Sequence, residues 1–141
     1  MRISPNYRDI LADEIRFCRT KIDIENDPRK KVYYYSGLYG ITRRIYNLEF
    51  DPQVQFIDFV FNATYNTMLT RIAAFNAGDT TIPITNDFFV KLNNCLERLE
   101  GRIRANEDTY DILEKLINLT STIDGNGYYL VEKGIPVYTE Y

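Results

Sequence analysis

The chain has 141 residues, of which 45% are hydrophobic and 26% are charged, and its formal net charge is −3. This length and composition are typical of one globular domain with a real core, and they exclude a disordered or low-complexity chain. The sequence has no histidine and only two cysteines. It therefore lacks the commonest general base, and it cannot build a disulfide framework or a thiolate zinc site. Because no apolar run reaches membrane-spanning length and the first residues lack the apolar core of a signal peptide, we expect a soluble cytoplasmic protein without membrane contact.

The first half of the chain predicts three helices that begin in the same way. Each start combines a capping side chain with a following proline, which is tolerated at the first helical position because its missing N–H would have no partner there. The pairs are Ser4-Pro5, Asp27-Pro28 and Asp51-Pro52. The helices should run to about residues 24, 48 and 77. Gly37 and Gly40 lie inside the second one, where they either admit a close neighbour or mark a kink.

The second half contains a stripe whose members are separated by steps of three and four residues, a spacing typical of a helix packed against another helix. Its members are Phe89, Leu92, Leu96, Leu99, Ile103, Asn106, Tyr110, Leu113, Ile117 and Thr120. The unbroken spacing predicts one long helix, capped by Thr85 or Asn86 and continuing to about residue 123, whereas the capping residues Asp108 and Thr109 favour a break near residues 105–109. Asn106 would fix the register between helices in the first case and would lie at the break in the second.

Four amphipathic helices with short connections predict an all-α fold, an antiparallel four-helix bundle over residues 1–124. Residues 125–141 form a separate C-terminal segment, predicted to be a short β-hairpin or extended tail. Because a lone hairpin is marginal in water, this tail should pack on its own bundle or on another molecule. Its candidate assembly contacts are Tyr128, Leu130, Ile135, Val137 and Tyr138.

Two pairs of acidic residues, Glu97 with Glu100 and Asp111 with Glu114, have a spacing that some helical hydrolases use to bind Mg²⁺. A magnesium site needs these oxygens to converge between helices. All four residues lie beside the apolar stripe, so we expect them to face solvent. There, i,i+4 pairs of Glu100 with Arg104 and of Asp111 with Lys115 would suit an exposed surface. The sequence therefore predicts no metal, no cofactor and no catalytic residue.

A basic and tyrosine-rich segment is the strongest candidate for a binding surface. Residues 1–50 carry ten Lys and Arg against seven Asp and Glu, a net +3, whereas residues 51–141 carry seven against thirteen, a net −6. Cations beside tyrosines suit single-stranded nucleic acid, but such tyrosines also commonly pack with the ring buried and the hydroxyl in water. The candidate contacts are Arg29, Lys30, Lys31, Tyr35, Tyr39, Arg43 and Arg44.

These observations lead to two hypotheses about function. The first is a non-enzymatic helical-bundle protein that acts through protein–protein contacts, either as a homo-oligomer or as a small subunit of a larger complex. The alternative is an accessory subunit that binds single-stranded nucleic acid through its second helix. Neither hypothesis includes a small-molecule substrate.

Overall fold

The computed structural model describes residues 4–80 and 82–123, and every regular element in those ranges is an α-helix. The prediction of an all-helical chain is therefore confirmed for them. The helices are α1 (Pro5–Ile24), α2 (Pro28–Leu48), α3 (Pro52–Asn76), α4 (Asn86–Arg104) and α5 (Tyr110–Ser121). The predicted C-terminal hairpin and its assembly contacts lie outside the described residues.

The first three helices begin where the capping pairs predict. The Ser4 side chain accepts a hydrogen bond from the backbone N–H of Tyr7, and the Asp27 carboxylate accepts one from that of Arg29. Asp51 accepts from two backbone N–H groups of the first turn of α3. Each cap satisfies N–H groups that have no partner within the helix, which explains why short-range sequence signals locate these starts.

The fourth predicted helix breaks, so the expectation of one continuous helix is wrong and the alternative of a break near residues 105–109 is confirmed. α4 ends in a Schellman motif, in which Glu107 N–H donates to the carbonyl of Arg102 at 2.8 Å and Asn106 N–H donates to that of Ile103 at 3.1 Å. Asn106 adopts a left-handed conformation with φ of 56°. This conformation ends a helix, and Asn tolerates it better than most residues.

The break allows the two segments to pack on different neighbours. α1 packs against both α2 and α4, α2 packs against α3, and α5 lies against both α4 and α3. α5 therefore fills the space between α4 and α3. Near the middle of the core, the rings of Tyr35 and Phe61 meet edge to face with centroids 5.8 Å apart.

The apolar stripe holds through α4 but loses its phase in α5. Tyr110 and Ile117, two predicted members, are 61% and 37% exposed. The predicted members Leu113 and Thr120 are buried, but so are Ile112, Leu116 and Leu119, which lie outside the stripe. Because the left-handed residue changes the direction of the chain, the second helix begins at a new rotational phase and the spacing no longer continues across the break.

The two glycines of α2 differ in their surroundings, and the helix runs through both of them. A Cβ atom at Gly37 would lie 2.8 Å from a carboxylate oxygen of Glu14, whereas a Cβ atom at Gly40 would meet nothing within 4 Å. The atom near Gly37 is the end of a flexible side chain that can shift, so a close neighbour does not require glycine at either position.

Candidate functional site

Tyr35, a candidate nucleic-acid contact, lies in the core. Its side chain is 0% exposed, and its hydroxyl is 2.5 Å from Oγ1 of Thr64. Burial raises the pKa of this phenol above its ordinary value. The ring would have to leave the core to stack on a base, so Tyr35 is removed from the predicted contact set.

Lys31 is also an internal residue, only 6% exposed. Its Nζ donates to the carbonyl of Ile22 at 2.5 Å and lies 5.2 Å from the centre of the Phe89 ring. The cation thus faces the negative end of the α1 dipole and an aromatic ring. Lys31 joins α1, α2 and α4, and its ammonium group is not presented at the surface to a phosphate.

The other predicted contacts occupy several environments. Tyr39 is half-buried and stacks on Tyr65 with ring centres 6.0 Å apart, and the Nε atom of Arg43 donates to Asp58 at 2.9 Å. Among the seven candidate contacts, Arg29, Lys30 and Arg44 are exposed and form no ion pair with a buried residue of the described chain. The seven candidate contacts therefore do not form one exposed surface, since Tyr35 and Lys31 are buried and Tyr39 is half-buried.

Glu100 is buried, so the expectation that it faces solvent is wrong. Its side chain is 4% exposed and lies within 3.0 Å of guanidinium nitrogens of Arg16, Arg19 and Arg104. Burial alone would raise the pKa of Glu100, but hydrogen bonds from Arg104 and Arg19 hold it below its ordinary value. The predicted i,i+4 pair with Arg104 is present, yet it forms part of an ionic cluster that joins α4 to α1.

Asp111 pairs with Arg102 rather than with Lys115. The guanidinium donates to both carboxylate oxygens, at 3.0 and 3.2 Å, and thereby bridges the break between α4 and α5. These hydrogen bonds lower the pKa of Asp111. Within residues 4–80 and 82–123, no group of three Cys, Asp or Glu side chains is arranged to hold a metal ion.

Cys18 and Cys95 are both buried in the core. Burial raises the pKa of each thiol above its ordinary value. A thiol held in its protonated form is a poor nucleophile, so both cysteines act as small core residues.

A small polar cavity lies where α1, α2 and α4 meet. Its volume is about 170 Å³, which gives room for a handful of water molecules. Asn93 lines it and donates through Nδ2 to the carbonyl of Arg19, while its buried Oδ1 has no hydrogen-bond partner among the described residues.

The surface of α3 that faces away from the bundle carries no charge. Within Pro52–Asn76, all of which the structure describes, the only ionisable residues with a formal charge are Asp58 and Arg71, which are 6% and 3% exposed. Each of the other four helices exposes charged side chains. We define the α3 outer face by its outward residues at steps of three and four, which are Pro52, Gln55, Phe59, Asn62, Asn66, Leu69, Ala73 and Asn76.

Phe59 is the most prominent side chain of the α3 outer face, with 65% of its surface exposed, and Leu69 is 46% exposed. The apolar spacing of the sequence does not reveal this face, because that spacing locates only the buried side of a helix. The available signal is composition, since a 25-residue helix with two charged residues cannot have an ordinary polar surface.

A second exposed apolar group lies on α1 and α2. Phe17 and Tyr33 are 52% and 71% exposed, and each ring packs edge to face on Tyr34. The ammonium of Lys21 lies 5.5 Å from the centre of the Phe17 ring. Unlike the α3 outer face, this aromatic cluster is therefore combined with positive charge.

No family model matches the chain, and neither a curated protein nor a solved structure matches it. Among the helices in the described part of the chain, none combines the length and the apolar character that crossing a bilayer requires.

Proposed function

We propose that this is a non-enzymatic helical protein that acts through protein–protein contacts, as a homo-oligomer or as a small subunit of a larger complex. The observation that carries the proposal is the α3 outer face, which has no exposed charge and presents Phe59 with 65% of its surface exposed. Depletion of charge and enrichment of aromatic residues are the compositional features of the centre of a protein interface. Exposed apolar surface of this kind is commonly a docking site.

The same proposal describes the fold as a rigid support. We infer an antiparallel four-helix bundle in which α4 and α5 together occupy the fourth position, because α4 packs on α1 and α5 packs on α3. The ionic cluster around Glu100 and the internal Lys31 stabilise contacts between helices. A scaffold held in this way would present its outer faces with little rearrangement on binding.

The test is photo-crosslinking with the full chain in its source cell. A photo-reactive phenylalanine analogue in place of Phe59 should give a specific adduct, either with a second copy or with another protein. The matched control has the same analogue in place of Glu97, which is exposed on the charged outer side of α4. An adduct at position 59 that is absent at position 97 supports the proposal, whereas no adduct at 59, or equal adducts at both positions, contradicts it.

The alternative, binding of single-stranded nucleic acid, rests on a different set of residues, which shares only Arg29 and Lys30 with the predicted contacts. Arg29 and Lys30 are exposed and precede the exposed Tyr33 by four and three residues, so the three share one face of α2. Phe17 and Tyr34 extend this face onto α1. Bases could stack on these rings while the cations neutralise phosphates.

A fluorescence titration with a single-stranded RNA would test this alternative. Phosphate-driven binding must weaken steeply as salt increases, and it must weaken further in the double variant Arg29→Ala with Lys30→Ala. The control Lys115→Ala removes one half-buried cation from a distant helix. Binding that is absent, or equally affected by both changes, rules out the α2 surface.

A further inference from the structure

We propose that the α3 outer face binds a second copy of this chain, with the two α3 helices antiparallel and Asn66 of each copy at the two-fold axis. This inference rests on the proposed function and names its partner. A two-fold interface presents the same surface twice, so the surface must be complementary to itself in charge, size and hydrogen bonding. The α3 outer face meets each of these three requirements.

Charge is the first requirement. Each copy carries a net charge of −3, and residues 51–141 contribute a net −6 through thirteen acidic and seven basic residues. Like charges brought opposite each other destabilise an interface. The described surface of α3 is free of exposed charge, whereas α1, α2, α4 and α5 each expose charged side chains. Two copies can therefore meet along α3 without burying or opposing a charge.

Side-chain size is the second requirement. With Asn66 at the two-fold axis, position 59 of one antiparallel helix lies opposite position 73 of the other, and position 63 lies opposite position 69. The large Phe59 thus faces Ala73 of the second copy, and Leu69 faces Ala63. Ala63 borders the α3 outer face, and all four of these side chains are exposed in the single chain. The pairing of large with small residues is the pattern by which helix surfaces interlock.

Hydrogen bonding is the third requirement. Asn66 Nδ2 donates one hydrogen to Oδ1 of Asn62 in the same helix at 3.2 Å. An amide nitrogen carries two hydrogens, so the second remains available for Oδ1 of Asn66 in the other copy, and the contact is reciprocal. The same register places Asn62 opposite Thr70, which is also polar. Paired Asn residues in a helix seam fix register and partner number.

The size of the contact sets the expected affinity. The 25 residues of α3 give a helix about 37 Å long. One helix from each copy buries less than the roughly 800 Å² per partner of a standard interface. We therefore expect a reversible dimer with a dissociation constant on the order of micromolar.

The first measurement is sedimentation velocity of the full chain over a concentration series from about 1 to 300 μM, which spans the expected dissociation constant. The wild type should shift from monomer to dimer. Phe59→Glu should raise the dissociation constant at least about 30-fold, because a charge would be buried twice at the interface. The matched control Val90→Glu introduces the same charge at an exposed apolar residue on α4 and should leave the dissociation constant unchanged. Circular dichroism of both variants verifies that they fold.

A charge-pair rescue tests the register itself. In the double variant Phe59→Glu with Ala73→Lys, each Glu lies opposite a Lys of the other copy, and the dimer should return. The two positions are 14 residues apart, about 21 Å along one helix, so they cannot form this pair within a single chain. Rescue supports the antiparallel register, and loss of dimer without rescue overturns it.

A cysteine at the two-fold axis provides an independent measurement. Cys18 and Cys95 are the only cysteines of the chain and both are buried, so Asn66→Cys adds the single exposed thiol. Mild oxidation should convert this variant to a disulfide dimer much faster than Glu97→Cys, the control on α4.

The outcomes separate this inference from the proposed function. A purified chain that stays monomeric throughout, while the photo-reactive analogue at position 59 captures a different protein, overturns self-association and leaves the proposed function standing. A monomer with no adduct overturns both. A dimer that Phe59→Glu does not weaken overturns the α3 surface as its interface.

Discussion

The hydroxyl of Tyr35 on α2 lies 2.5 Å from Oγ1 of Thr64 on α3, and both side chains are buried. Thr64 Oγ1 is also 2.7 Å from the carbonyl of Val60, which can only accept. The single hydrogen of the Thr64 hydroxyl therefore goes to Val60, and Tyr35 is the donor to Thr64. This bond fixes a tyrosine of the predicted nucleic-acid surface inside the bundle.

The direction of this bond predicts unequal effects of its two partners. Thr64→Val leaves the buried Tyr35 hydroxyl without an acceptor and should lower the free energy of unfolding by about 1–3 kcal/mol, whereas Tyr35→Phe should cost about 1 kcal/mol. Urea unfolding followed by circular dichroism measures both changes. The double variant should lose less stability than the sum of the single variants, and simple additivity would contradict the bond.

Glu100 should make stability depend on pH in the acidic range. Its folded pKa lies below the ordinary value of 4.5, so the stability it contributes is complete above that value and is lost as the pH falls through the folded pKa. Glu100→Gln should lower the free energy of unfolding by about 2 kcal/mol at neutral pH. The variant should then lose less stability than the wild type on acidification.

Urea unfolding at neutral pH and at a pH below 4 measures this difference. The control is Glu97→Gln, since Glu97 is exposed one turn away on the same helix. If Glu97→Gln and Glu100→Gln had the same pH dependence, the ionic cluster would not stabilise the fold.

The stability of the protein should depend on which residue occupies position 106, where α4 ends. Asn106 has φ of 56°, which glycine adopts without steric cost and alanine does not. Asn106→Ala should destabilise the protein by about 1 kcal/mol, and Asn106→Gly should be neutral or slightly stabilising. Thermal unfolding would check the order, and an alanine variant as stable as the glycine variant would indicate that α4 continues through this position.

The two adjacent lysines at the start of α2 should behave differently. Lys31→Met removes a hydrogen bond to Ile22 and a cation above the Phe89 ring, and it should cost about 1–2 kcal/mol. Lys30 is exposed, so Lys30→Met should change stability by less than about 0.5 kcal/mol. Chemical denaturation of the two variants provides the comparison, and equal effects would contradict the internal placement of Lys31.

Gly40 and Gly78 form a matched pair for a glycine-to-alanine test. A Cβ atom at either position would meet nothing within 4 Å, but Gly78 has φ of 107°. Gly40→Ala should stabilise the protein by about 1 kcal/mol because alanine favours the helix. Gly78→Ala should destabilise it by about 1–2 kcal/mol because alanine strains the left-handed backbone. Differential scanning calorimetry measures both, and a shift of the same sign would contradict the assignment.

The positions of the helix starts follow from the sequence because capping is a local interaction. Ser4, Asp27 and Asp51 each bond to N–H groups within three residues, so no distant part of the chain is needed to specify them. The apolar spacing likewise predicts the buried face of α4, where Phe89, Leu92, Leu96, Leu99 and Ile103 are all buried. An all-helical fold was therefore accessible from the sequence alone.

Helical spacing could not predict whether the polar and aromatic residues beside the apolar stripes are buried or exposed. Lys31 and Glu100 lie beside apolar positions, where exposed residues also lie. Lys31 is buried because the end of α1 accepts its hydrogen bond, and Glu100 is buried because arginines of α1 pair with it. Spacing also did not reveal the α3 outer face, since apolar residues at steps of three and four identify the side of a helix that packs inward but do not describe the opposite side.

The sequence by itself determined the helical class, the three capped starts and the core face of α4, because hydrogen bonds within a turn and helical periodicity act over short distances. Only the tertiary structure decided that the chain breaks at Asn106, where α5 can then leave α4's axis and bury its own apolar side on α3. It also decided which charged side chains became internal and which uncharged face stayed in solvent. Both outcomes depend on which residues of a second helix lie opposite a given position, and those residues are tens of positions away in the chain.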